Sequence, residues 1–154
     1  MAKIGSLEWK RLIIDGCAEL NLQVDSKTAE NFALHARELM VWNRKINLTA
    51  ITDPLELAVK HFIDSIAPVN LIPRSAALLD IGSGGGFPGI PLKLQLPLLS
   101  ATLIDSSRKK VSFLEHLIRK LNLKDVSADH SRMKPQAENT NYRTSFDVIA
   151  SRAM

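Results

Sequence analysis

Apolar residues recur at helical spacing through the first part of the chain. Ser6 can cap a helix from Leu7 to about Leu20, with Leu12, Ile13, Cys17 and Leu20 along one face. Ser26 can cap a second helix, in which Ala29, Phe32, Ala33, Ala36, Leu39 and Met40 repeat at the same period. Asp53-Pro54 predicts a third start: the carboxylate can accept from open backbone N–H groups, and proline loses nothing in the first turn. Leu55, Ala58, Phe62 and Ile66 form its expected stripe. Residues 1–72 are therefore expected to be a helical N-terminal region.

Beyond Pro68 and Pro73 the period changes. Ala77 to Ile81 reads as a short apolar strand running into glycines, Pro88 to Gln95 as a short helix, and Ala101 to Ile104 as a second strand. Ser107 to Leu121 reads as an amphipathic helix with Val111, Leu114, Leu117, Ile118 and Leu121 inward. Val126 to Ala128 and Phe146 to Ala150 complete four strands, and the polar stretch from His130 to Thr144 reads as loop. Strands alternating with helices predict an α/β fold, a doubly wound, Rossmann-like parallel sheet with right-handed crossovers and strand order 3-2-1-4. The chain stops just after the fourth strand, so the sheet is expected to be incomplete. That strand should expose an edge and an apolar face, with Arg152 on a fraying end. On this reading the chain is expected to be marginally stable or self-associating and to work poorly in isolation.

Composition narrows the class without naming a function. The 154 residues are 45% hydrophobic and 23% charged, which excludes a disordered or fibrous chain. The lone Cys17 excludes an internal disulfide framework. No apolar run approaches the ~20 residues of a membrane span. Asp15 interrupts the apolar stretch of the N-terminus, which argues against a secretory signal. A cytoplasmic protein with no membrane partner is the expectation. The net charge of +4 leans toward a polyanionic partner, but two Trp, one Tyr and five Phe are too few for a base-stacking surface.

The glycine segment carries the chemistry. Asp80-Ile81-Gly82-Ser83-Gly84-Gly85-Gly86-Phe87-Pro88-Gly89 follows a strand and opens a helix. Such a turn lets backbone approach a ligand closely. Gly84, Gly86 and Gly89 fit the dinucleotide spacing, with Asp105 placed where an acid would reach a ribose. Gly82, Gly84 and Gly86 fit instead the loop of S-adenosylmethionine-dependent methyltransferases. Charge favours the second reading. A dinucleotide brings a pyrophosphate, against which Asp80 would be a liability, whereas S-adenosylmethionine brings an ammonium and a sulfonium that a carboxylate favours. Gly84→Val is expected to abolish binding through a clash and a disallowed backbone angle.

Trp42-Asn43-Arg44-Lys45-Ile46-Asn47-Leu48-Thr49-Ala50-Ile51, then His61-Phe62-Ile63-Asp64-Ser65, then the loop Gly82 to Gly89 continuing Ile90-Pro91-Leu92, closely resemble one family. It is the bacterial methyltransferase family that modifies N7 of a guanine in 16S ribosomal RNA, also called glucose-inhibited division protein B. Asp105-Ser106 and Ser151-Arg152-Ala153 match as well, so the resemblance runs from about Phe32 to Met154. Family members continue further, and residues 73–154 resemble the first half of the family's S-adenosylmethionine-binding domain.

The resemblance implies S-adenosyl-L-methionine as cofactor and 16S ribosomal RNA, or a small-subunit assembly particle, as partner. Gly82 and Phe87 match loop positions that contact the cofactor, Asp105 matches the ribose acid, and Met133 and Lys134 match a pair beside the adenine. Arg152 matches an arginine at the mouth shared by cofactor and substrate. Lys134 departs from the glutamate often found there, a change that a backbone contact survives and a side-chain acceptor does not. Guanine N7 has an in-plane lone pair and no proton, so the implied reaction needs alignment rather than a general base. A non-catalytic RNA-binding or interaction module on the same scaffold is the competing reading, with an NAD-binding oxidoreductase domain behind it.

Other candidates are less specific. Asn43, Arg44, Lys45 and Asn47 lie in a polar break between helices and could touch RNA, or form a solvated helix end. His61 and Asp64 stand three apart, which permits a hydrogen-bonded pair on one helix face. Arg108-Lys109-Lys110 open a helix, where cations fit poorly and hint at an anionic partner. His35, His116 and His130 lack ligand-like spacing, so no metal is expected.

Overall fold

The computed structural model describes residues 2–132 and 145–152. Helix α1 (Leu7–Glu19) is capped by Ser6, whose hydroxyl accepts from the Trp9 N–H at 3.1 Å. Helix α2 (Ser26–Asn43) is capped one residue earlier than expected. The Asp25 carboxylate accepts from the Thr28 N–H at 2.7 Å, and that bond holds its carboxyl below the usual range. An ionised acceptor in extended backbone outcompetes the neighbouring serine for this role.

Asp53 caps α3 (Pro54–Glu56) as predicted, accepting from the Glu56 N–H at 2.9 Å. The chain then widens into a π-helical turn, Leu57–Ile63, before a last α turn, α4 (Asp64–Ile66). A π turn takes more residues per revolution than an α turn, and the expected stripe changes at its start. Leu57 replaces Leu55 on the buried face, Leu55 being 55% exposed, while Ala58, Phe62 and Ile66 are buried as expected.

These helices share one core. The Trp9 indole N–H donates to the Pro54 carbonyl at 2.8 Å, and its ring meets Phe62 edge-on with centroids 5.6 Å apart. Phe62 also packs against Phe32 at 5.2 Å. Gly16 brings α1 close to the π turn, since a Cβ there would lie 2.6 Å from Ile63 Cδ1.

The four strands β1 (Ala77–Ile81), β2 (Ser100–Asp105), β3 (Val126–His130) and β4 (Val148–Ser151) form a parallel sheet in the order β3-β2-β1-β4. That is the expected topology. β3 runs to His130, two residues past the expected end, and β4 starts at Val148 rather than Phe146. Helix α5 (Gly89–Gln95) links β1 to β2, and α6 (Arg108–Lys120), capped by Ser107, links β2 to β3. Leu78, Ala101 and Leu103 face the core shared with the helices. On the other face Ile149, paired in register with Leu79, is 63% exposed.

The π turn makes a quantitative prediction. Leu57→Ala removes a fully buried side chain and is expected to cost about 2–5 kcal/mol, whereas Leu55→Ala stays within about 0.5 kcal/mol. Denaturant unfolding of both variants separates this register from the α-helical one, which reverses the order.

Candidate functional site

In a parallel sheet, ligands gather at the carboxyl ends of the strands where strand order reverses. Here the reversal lies at β1, which pairs with β2 on one side and β4 on the other. The glycine loop leaves β1 at that point, Asp105 ends β2, and Arg152 follows β4. Gly84, Asp105 and Arg152, separated by 21 and 47 positions in the sequence, thus reach one crevice only through the fold. A cavity of about 770 Å³ beside Asn70, Pro73, Arg74 and Pro97 lies at the opposite, amino end of β1 and β2.

The loop is held from beneath and from the side. Gly82, Gly84 and Gly86 take φ values of +69°, +56° and +94°. The Gly82 and Ser83 N–H groups both donate to the Ile104 carbonyl, at 2.9 and 3.0 Å, fastening the turn to β2. Asp80 is fully buried, and its Oδ2 accepts from the Ser83 hydroxyl and the Gly89 N–H, both at 2.9 Å. A Cβ on Gly89 would fall 2.7 Å from that oxygen and also run into the Leu103 methyl. Asp80 Oδ1 is buried with no hydrogen-bond partner among the described residues. Burial pushes the Asp80 carboxyl up to about 7, against the opposing pull of the Ser83 and Gly89 hydrogen bonds.

Asp105 binds the other side of the loop. Its Oδ2 accepts from the Gly84 N–H and its Oδ1 from the Ser107 N–H, both at 2.9 Å. A Cβ on Gly84 would meet nothing nearer than the Gly82 carbonyl at 3.8 Å. Among the described residues an added Cβ at Gly84 therefore meets no clash, and the cost there is the left-handed backbone. That open space above Gly84, next to the Asp105 carboxylate, is where a ligand has room.

Phe87 does not lie open beside the loop. Its ring is sandwiched between the imidazoles of His35 at 4.5 Å and His61 at 4.4 Å, each within 10° of parallel, and Phe62 meets it edge-on at 5.3 Å. Both faces are taken, which leaves its backbone and ring edge for any ligand. His35 is fully buried, and its Nε2–H donates to the Gly85 carbonyl at 2.8 Å. Its Nδ1 is then a buried lone pair with no partner among the described residues. Burial depresses His35 to about 3 and, with the nearby Arg152 charge, His61 to about 4. The sequence offered no signal for His35: its partners Phe62, Gly85 and Phe87 lie 27 to 52 residues away in the chain.

Arg152 is anchored rather than frayed. It donates to the Lys60 carbonyl at 2.7 Å, to His61 Nδ1 at 2.8 Å and to the Ser65 hydroxyl at 3.1 Å, and its guanidinium lies 5.9 Å from the Phe87 centroid. The Ser65 hydroxyl in turn donates to the His61 carbonyl. All of these acceptors are neutral, so the positive charge at the mouth has no ion-pair partner among the described residues.

The remaining candidates divide. Asn43 is structural: its Oδ1 accepts from the Leu48 and Thr49 N–H groups at 2.9 and 3.0 Å and shapes the turn after α2. Arg44, Lys45 and Asn47 are exposed on that turn. His61 and Asp64 do not pair, because the π turn rotates them apart; His61 is buried on Arg152 and Thr49, and Asp64 is exposed. Arg108 and Lys109 are exposed at the start of α6, and Lys110 is half-buried. His116 pairs with Glu38 at 2.6 Å, and His130 reaches the Ser106 carbonyl at 3.0 Å. Met133 and Lys134 lie outside the described residues. Among the described residues no three His, Cys, Asp or Glu side chains converge as a metal group, and no helix is long and apolar enough to cross a membrane.

Comparison with known proteins places the chain in a family and a fold. Residues 28–154 match the family model described as rRNA small subunit methyltransferase G. A protein of that name from Desulfitobacterium hafniense (strain Y51) is 44% identical over 135 residues, 88% of this chain and 56% of the relative. Another, from Geobacter sp. (strain M21), is 46% identical over 144 residues, 94% of this chain and 65% of the relative. The chain thus spans less than two thirds of the length of these relatives. A structure described as a protein-L-isoaspartate O-methyltransferase from Plasmodium falciparum, in complex with S-adenosyl-L-homocysteine, shares the fold. Its TM-score is 0.56 at 16% identity, covering 92% of this chain and 72% of that one.

The buried titratable groups predict how stability varies with pH. His35 and His61 stay neutral in the folded chain but bind protons below 6.5 once unfolded. Each therefore lowers stability as pH falls from 6.5 toward 4, by up to about 1.4 kcal/mol per pH unit. Asp80 acts oppositely, since the folded chain keeps below 7 a proton that the unfolded chain releases above 3.8. The net slope over that window is that of about one proton, and Asp80→Asn should steepen it to about two. Denaturant unfolding across the window measures both slopes; equal slopes would contradict the burial of Asp80.

Proposed function

The chain belongs to the rRNA small subunit methyltransferase G family, and from that membership we propose that it takes part in S-adenosylmethionine-dependent methyl transfer to N7 of a guanine in 16S ribosomal RNA. The observation that carries the reading is the loop Gly82 to Gly89, set at the switch point of the sheet with Asp105 beside it. A carboxylate at the end of the second strand suits ribose hydroxyls, and its oxygens keep lone pairs after accepting from Gly84 and Ser107. The open space over Gly84 gives that ligand a place.

Bound S-adenosylmethionine would supply an electrophilic methyl group on sulfur. Gly82, Gly84 and Asp105 would hold it, with Phe87 contributing backbone. Met133 and Lys134 beside the adenine are part of the same proposal, on the family resemblance alone. Arg152, whose acceptors are neutral and whose charge has no ion-pair partner among the described residues, suits an anionic group of either cofactor or RNA. Arg44, Lys45 and Asn47 offer an exposed polar turn for RNA phosphates. Because guanine N7 bears no proton, the two histidines at the loop need not act as bases, which suits their engaged, neutral state.

Asp80 weighs against the dinucleotide alternative. Its carboxyl already accepts the Gly89 N–H at the head of α5, the kind of donor a pyrophosphate would need. Soluble, cytoplasmic action on a ribosomal particle follows as part of this proposal.

Isothermal calorimetry on the chain should detect S-adenosylhomocysteine and not NAD. Asp105→Ala should weaken that binding roughly tenfold or more, as expected for losing a charge-assisted hydrogen bond. Methyl transfer from labelled S-adenosylmethionine to small ribosomal subunits, run beside the Geobacter relative, tests the substrate. A preference for NAD, or labelling at a position other than guanine N7, would overturn the reading.

A further inference from the structure

One buried group is tied to both halves of the molecule and used by neither cofactor nor RNA in the account above. His61 projects from the π turn into the seam between the helical region and the sheet. Each of its three faces is committed. Arg152 is a donor only, so its bond to His61 Nδ1 at 2.8 Å requires a lone pair there. The proton must then sit on Nε2, and the 2.8 Å contact to Thr49 is Nε2–H donating to the hydroxyl oxygen. Thr49 Oγ1 also accepts from the Ile51 N–H at 3.0 Å, while the Thr49 N–H donates to Asn43 Oδ1. The ring face stacks on Phe87 of the glycine loop.

We propose that His61 is a positioning residue, set in its Nε2–H tautomer by the Arg152 donor at Nδ1 and anchored through Nε2 to Thr49, so that it orients Arg152 through Nδ1 and the glycine loop through Phe87. It touches no reacting atom in this role. The proposal rests on the cofactor reading of the loop and adds a residue set to it. Thr49, on the turn that exposes Arg44, Lys45 and Asn47, thereby connects the surface offered to RNA with the site mouth. The groups facing His61 agree with a neutral ring. Arg152 approaches from β4, His35 lies across Phe87 on α2, and Asp64 on its own segment is exposed. A protonated imidazole would turn a donor toward the Arg152 donor and set two positive charges together.

Thr49 provides the cleanest test, because Thr49→Val keeps the shape and removes only the hydroxyl, while Thr49→Ser keeps the hydroxyl. Two readouts are taken on the whole chain: the ring-nitrogen chemical shifts of ¹⁵N-labelled His61, and calorimetric affinity for S-adenosylhomocysteine. The wild type should show a protonated Nε2 and a lone-pair Nδ1 at neutral pH. Thr49→Val should move the Nε2 shift away from its hydrogen-bonded value and weaken binding about tenfold, and Thr49→Ser should restore both to within about twofold. A merely structural hydroxyl would lower stability without weakening binding. An Nδ1–H tautomer in the wild type, or unchanged binding in a Thr49→Val variant, overturns the positioning role while leaving the cofactor reading intact. A wild type that binds NAD rather than S-adenosylhomocysteine overturns the cofactor reading, and the positioning role with it.

Discussion

The structure depends first on the buried carboxyl of Asp80. At the end of β1 the chain must turn sharply, expose backbone to a ligand and start a helix within a few residues. Asp80 makes this possible by accepting from Ser83 inside the turn and from Gly89 at its far end. The position is costly, since burial pushes the carboxyl up to about 7 and leaves Oδ1 without a partner among the described residues. Gly89 must lack a side chain for the carboxyl to fit at all. Everything placed at the crevice, from Asp105 on Gly84 to His35 on Gly85, attaches to the turn that this residue closes.

The second constraint is the joint between helices and sheet. Phe87 is clamped by imidazoles from α2 and from the π turn, and Arg152 crosses from β4 to the same π turn. The helical region is therefore built into the site. Family membership and the fold account for the loop and its acid, while this joint explains why the N-terminal helices belong to the same machinery. It also explains how the exposed turn after α2 can sit in register with the site mouth, through Asn43, Thr49 and His61.

Much of the fold was legible because its signals are local. Asp53-Pro54 caps a helix by chemistry contained in four residues, and the strand-glycine-helix sequence around Gly82 sets its own geometry. Parallel pairing followed from alternation, and the 3-2-1-4 order from the methyltransferase-type sheet that the glycine loop implied. Leu55 was placed on the buried stripe and Leu57 was passed over, because a π turn leaves no periodicity that distinguishes it from an α turn. Asp80 was read by its charge toward a ligand, yet which way a strand-end side chain points is decided by the turn that follows. His35, His61 and Arg152 meet only after β4 pairs with β1, so no spacing along the chain could have announced their cluster.

The most direct measurement is amide hydrogen exchange at Gly89 and Gly84 in the wild type and in Asp80→Ala, with S-adenosylhomocysteine affinity measured on the same samples. If Asp80 closes the loop, both amides are protected in the wild type. Asp80→Ala then raises exchange at Gly89 about tenfold or more beyond the global change in stability, and ligand affinity falls with it. Unchanged local protection at Gly89, with affinity intact, would contradict the account at its base.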